Sequence, residues 1–270
     1  MSFFEINELS VGYGKKTILK NISLSAGKGT LNGIIGANGC GKTTALKAVC
    51  GILPHGGVCT LDGVSLETLS PRGIARVCSY IPQRSGISIE MSAHDVVLMG
   101  FNPKLGLLAH PSVEMKRKAS EALRAVGLGD KENDDFLTLS EGQKQLCILA
   151  RTLISDAKLL LLDEPESALD LRFRYQMLHV LKKWISEEDK TALVTLHDGN
   201  LALNFCDRLF MIAEGGLAGV LSPRTDSAER MEALLSKVYG NITLTKCRSR
   251  KGNDHWVILY EDVEERHETE

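Results

Sequence analysis

Three glycines, a lysine and two threonines share the nine residues Gly36 to Thr44, GANGCGKTT. The spacing Gly36-x-x-x-x-Gly41-Lys42-Thr43 suits one chemistry: backbone free of side chains lets successive N–H groups curl around an anion, and a helix starting at Lys42 adds its positive end. Lys42 would reach the terminal phosphates of such a ligand and the Thr43 hydroxyl would hold Mg2+, with Asn38, Gly39 and Thr44 lining the same loop. Further on, LLLLDEP (Leu159 to Pro165) is an aliphatic run that ends in two adjacent carboxylates. Asp163 at the tip would complete the magnesium shell, and Glu164 would polarise a water against the last phosphoryl group. A nucleoside triphosphate is the ligand these residues fit.

Residues of this kind work only if regular elements hold them. TLNGII (Thr30 to Ile35) reads as a short buried strand and KTTALKAVCG as a helix that stops at Gly51, so the glycine loop joins strand to helix. The LLLL run reads as a central parallel strand covered on both faces. In TLSEGQKQLCILARTL, Ser140 and Gln143 form a capping box, and Leu146, Leu149, Ala150 and Leu153 make the apolar stripe of the helix that follows. A second helix is capped by Ser112, buries Val113, Ala119, Leu123 and Val126, and ends at Gly127; a third buries Leu178, Leu181, Trp184 and Ile185. The patterns divide the chain into an α/β core at 1–83 and 156–215 with a largely parallel sheet, a helical insertion at 84–155, an extension at 216–260 with a β-hairpin, and an acidic tail at 261–270.

Composition narrows the function. The chain has 270 residues, 43% hydrophobic and 24% charged, and 32 basic against 34 acidic residues leave a net charge of −2 with no basic block. That excludes nucleic acid as a non-specific partner. Seven scattered cysteines without a CxxC pair read as reduced thiols. There is no leader pattern and no apolar run of bilayer length, so a membrane role must come through a partner.

Leu139-Ser-Glu-Gly-Gln143, placed ahead of Asp163-Glu164, resembles the LSGGQ signature of the ATP-binding cassette (ABC) family, and the resemblance covers nearly the whole chain. It implies a phosphate-loop ATPase core with a helical insertion and an antiparallel N-terminal β part. It also implies a homodimer closing over two ATP molecules, with Ser140, Gly142 and Gln143 meeting the γ-phosphate held by the other copy. Glu141 stands where the family has glycine, and a carboxylate there repels phosphate. By the same resemblance Tyr13 stacks on adenine, Gln83 senses magnesium and the attacking water, His197 is the switch histidine, and Ser167 and Asp170 reach across the dimer. Glu166 replaces a usual serine or threonine. LSPRGIARVCSYIPQ and SAHDVVLMGFNPKLGLLAHPS resemble the importer subfamily for iron-siderophores, haem and cobalamin, although Phe101 and Asn102 replace a usual arginine and small residue. The implied partners are separate transmembrane permease subunits and, indirectly, an extracytoplasmic binding protein, with the ATPase on the cytoplasmic face of the membrane. A soluble cassette ATPase that serves protein partners, as in iron-sulfur cluster assembly, is the alternative; the block around Gln83 argues against it.

Overall fold

The computed structural model describes residues 2–83, 86–106, 108–167 and 169–261. It opens with β1 (Phe4–Tyr13), β2 (Lys16–Ala26), β3 (Thr30–Ile35), α1 (Lys42–Val49), β4 (His55–Leu61), β5 (Val64–Ser65), α2 (Pro71–Val77) and β6 (Cys78–Ile81). Helices α3 (Ala93–Leu98), α4 (Val113–Ala125) and α5 (Glu141–Leu153) follow. The chain then alternates through β7 (Leu159–Asp163), α6 (Leu171–Glu187), β8 (Thr191–Thr195), α7 (Gly199–Phe205), β9 (Arg208–Ala213) and β10 (Gly216–Leu221). It closes with α8 (Ala228–Tyr239) and the hairpin β11 (Ile242–Arg248) and β12 (Asp254–Tyr260).

The strands build an antiparallel sheet in the order β2-β1-β4-β5 and a six-stranded sheet in the order β10-β9-β3-β8-β7-β6. Within the latter, β9, β3, β8, β7 and β6 run parallel and only β10 is antiparallel. Parallel strands covered on both faces must be apolar on both, and β7 shows how the period of two divides them. Leu160 and Leu162 enter the core packed by α3 to α8, while Leu159 and Leu161 enter the core shared with α1 and the antiparallel sheet. Each such leucine is worth roughly 1.5–3 kcal/mol of burial.

The four strands β3, β8, β7 and β6 are neighbours with a common direction, so their C-terminal tips share one edge. That edge is where ligands of open α/β sheets bind.

Three expectations change. Val113 is 86% exposed because it is the first residue of α4, beside its Ser112 cap and beyond the packed turns, whereas Ala119, Leu123 and Val126 are fully buried. The division at 215 falls inside the β9–β10 hairpin, since β10 pairs with β9 in the main sheet. Helix α8 also lies where no helix is anticipated. The hairpin at β11–β12 stands where it is expected, and all seven cysteines are free.

Candidate functional site

The loop after β3 turns into α1 through Gly41, whose φ of 108° is left-handed and whose Cβ, if present, would lie 2.6 Å from Leu19 Cδ2. Only glycine fits there. At Gly36 a Cβ would come within 2.3 Å of Ile212 O. Lys42 is 4% exposed, and its Nζ donates to Gly36 O at 2.8 Å and Ala37 O at 3.2 Å. A buried ammonium held, among the described residues, by two carbonyls is suited to phosphate oxygens, which accept more strongly. Tyr13, Asn38, Gly39, Gly41, Lys42, Thr43, Thr44 and Glu164, with Ile18, line one cavity of about 180 Å³. Tyr13 is half exposed at its rim.

Behind the loop, Thr43 Oγ1 donates to Asp163 Oδ1 at 2.9 Å. A hydroxyl and a buried carboxylate, with the Gln83 amide nearby on Glu164, form an oxygen-rich donor set of the type magnesium prefers. The residues present therefore fit the ion.

Glu164 lies at the C-terminal end of β7 with φ 48°, left-handed for a non-glycine residue. Both carboxylate oxygens are engaged: His197 Nε2 lies 2.6 Å from Oε1, and Gln83 Nε2 donates to Oε2 at 2.7 Å. The three residues named as catalytic candidates, which follow the C-terminal ends of β6, β7 and β8, thus meet at one carboxylate.

Ser140, Gly142, Gln143 and Asp170 are not among the residues lining that cavity. Ser140 caps α5 through Gln143 N at 3.3 Å, and the Gln143 side chain accepts from Ser140 N at 2.9 Å. Asp170 caps α6 through Phe173 N at 3.0 Å. A Cβ on Gly142 would stand 3.4 Å from Leu169 and 3.5 Å from Phe173, so the two helix starts abut. Glu141 Oε1 pairs with Lys144 Nζ at 2.8 Å, which draws the anomalous carboxylate along the helix and offsets its charge.

Four supporting residues escape a reading by motif. Thr195 Oγ1 donates to Asp163 Oδ1 at 3.0 Å and accepts from Glu164 N at 2.8 Å, tying the Asp163 carboxylate and the Glu164 backbone to β8. Tyr80 OH donates to Asp163 Oδ2 at 3.2 Å; burial, reinforced by the Asp163 carboxylate, pushes its pKa well above the ordinary phenol value and keeps it a donor. Gln145 Nε2 donates to Gln83 O at 3.2 Å, joining α5 to the glutamine. Glu166 is 2% exposed and accepts from His197 N at 3.1 Å. The sequence signal for Tyr80, Gln145 and Thr195 is a polar group in a segment that should be apolar, and for Glu166 it is the departure from the serine or threonine usual in the family.

A phosphate loop, a paired carboxylate at a parallel strand tip and a capped helix start define a nucleotide-hydrolysing α/β domain. The sequence pattern of the ABC transporter family matches residues 19–167. The hemin import ATP-binding protein of Vibrio anguillarum is 33% identical over 246 residues, 89% of this chain and 92% of that protein. The iron(3+)-hydroxamate import ATP-binding protein of Bacillus subtilis is 31% identical over 216 residues, 80% of each. A solved inward-facing ABC transporter of the metal-chelate type has the same fold, with a TM-score of 0.81 at 24% identity, covering 97% of this chain and 99% of that one. The chain belongs to the ABC transporter family and is an ATPase of that family.

Proposed function

We propose that this ATPase is the ATP-hydrolysing subunit of an importer for an iron-siderophore or related metal chelate. It acts as a homodimer on the cytoplasmic face of separate transmembrane permease subunits, which receive cargo from an extracytoplasmic binding protein. The observation that carries the hydrolytic part is the Glu164 carboxylate gripped by Gln83 and His197 beside the Thr43–Asp163 pair. Relatives named for hemin and iron(3+)-hydroxamate import support the cargo class. Among the described residues no helix is long and apolar enough to cross a membrane, which agrees with a separate permease.

In this reading Tyr13 stacks on adenine, and the amides of the Gly36–Thr44 loop, with Lys42, hold the phosphates. Thr43, Asp163 and Gln83 would hold Mg2+, which neutralises charge on the phosphate oxygens. Glu164 accepts the proton of a water as its oxygen attacks the γ-phosphorus, and the bond to the ADP oxygen breaks. His197 holds Glu164 in line and faces the γ-phosphate. Ser140, Gly142 and Gln143 at the start of α5 supply helix N–H groups to the γ-phosphate of the second copy, where Asp170 also crosses.

The test is to express tagged Glu164→Gln in its host, solubilise it with ATP present, and identify what co-purifies by mass spectrometry. A polytopic membrane protein is the expected companion. Soluble partners alone would overturn the importer reading and favour a cassette ATPase that acts on proteins.

A further inference from the structure

Glu166 lies in the turn that begins at Glu164 and is 2% exposed, with Oε1 accepting from His197 N at 3.1 Å. Its other oxygen, Oε2, is buried and has no hydrogen-bond partner among the described residues. Burying a carboxylate with one oxygen unmatched is expensive. Nothing local requires it: the turn is closed by backbone bonds, Ser167 N to Glu164 O at 3.1 Å and Leu169 N to Glu166 O at 3.0 Å, which any side chain at 166 would allow. The cost must be offset by what the side chain holds.

What it holds is the main chain of His197. Two residues earlier in the same turn, Glu164 meets the imidazole of that histidine at 2.6 Å. The turn therefore grips His197 twice, at the backbone through Glu166 and at the ring through Glu164. On either side the strand-end residue Leu196 donates from N to Ile34 O at 3.2 Å, and Asp198 caps α7 through Asn200 N at 2.9 Å. Between those anchors Tyr239 OH on α8 also donates to His197 O at 3.5 Å, but among the described residues only the Glu166 contact ties the histidine's main chain to the turn that carries Glu164.

We propose that Glu166 is a positioning residue for ATP hydrolysis: its buried carboxylate fixes the His197 backbone so that the imidazole stays registered on Glu164. The inference rests on the hydrolytic reading, which a wild-type turnover abolished in Glu164→Gln would establish first. Two replacements of similar volume separate its role from packing: Glu166→Met lacks the acceptor, and Glu166→Gln keeps one oxygen. In steady-state assays on the full chain, Glu166→Met should lower kcat about tenfold, the equivalent of one lost hydrogen bond. Its KM for ATP should stay within about twofold, because the phosphate loop is untouched. Glu166→Gln should recover most of the loss. Activity should not follow stability, since Met at a buried charge need not lower Tm. Wild-type kcat in Glu166→Met overturns the proposal, as does an equal fall in both variants that tracks their Tm. Native-state hydrogen exchange of the unsubstituted protein gives an independent reading: the His197 amide should be protected like those of β8, and fast exchange there would also overturn it.

Discussion

Glu164 combines a left-handed backbone, φ 48°, with a carboxylate engaged at both oxygens. Strain of this kind persists only where the surroundings over-determine it, and here Thr195, Gln83 and His197 do so. Glu166 adds a second local cost, which depends on pH. Burial, the largest influence, pushes its pKa above the ordinary carboxylate value. The folded chain then binds a proton more readily than the unfolded one, so this group's contribution to stability is lost as pH rises from the carboxylate range through the raised value. Glu166→Gln removes that loss. Its Tm should exceed that of the wild type above neutrality, and the gap should narrow as the pH falls toward the ordinary carboxylate range. A constant gap in a thermal melt series would contradict this. Lys42, Thr43, Asp163 and Glu164 were legible in the sequence because glycine spacing and a strand tip announce them. Thr195, Tyr80 and Glu166 were not, because their roles arise from contacts with partners 31 to 83 residues away.

At the scale of elements, the capping box at Ser140 was readable because it is local, and so was the burial of β7 on both faces. The C-terminal extension was readable only as a hairpin, since what fixes it is tertiary. There Asn204 on α7 donates to Trp256 O at 2.8 Å and accepts from Trp256 N at 2.9 Å, while Asn200 accepts from Ile258 N at 2.8 Å. Two asparagines on a helix thus satisfy the edge of β12 as a neighbouring strand would. Tyr239 OH on α8 also donates to His197 O at 3.5 Å, so the extension borders His197. Asn204→Leu leaves both Trp256 backbone groups without a partner. Hydrogen exchange at Trp256 should then accelerate by at least about tenfold, with the amides of β7 and β8 unchanged. Unchanged exchange at Trp256 would mean that the hairpin is held without Asn204, by the Asn200–Ile258 bond and its apolar contacts.

At the scale of the molecule, the Glu164 cluster and the Ser140–Gly142 helix start are separate surfaces of one chain, which a second copy could bring together over ATP. The α/β class was readable from alternating strand and helix patterns. The strand order β10-β9-β3-β8-β7-β6, which sets the tips of β8, β7 and β6 side by side, was not, because periodicity does not carry neighbour relations. The most direct test of the account is the ATP turnover of the purified full chain beside that of Glu164→Gln, with oligomeric state followed by light scattering. The account predicts a fall of at least about a hundredfold in turnover, with the variant dimeric in ATP and monomeric in ADP. Turnover within a few-fold of wild type would contradict it, since Glu164 would then not be the residue that activates the water.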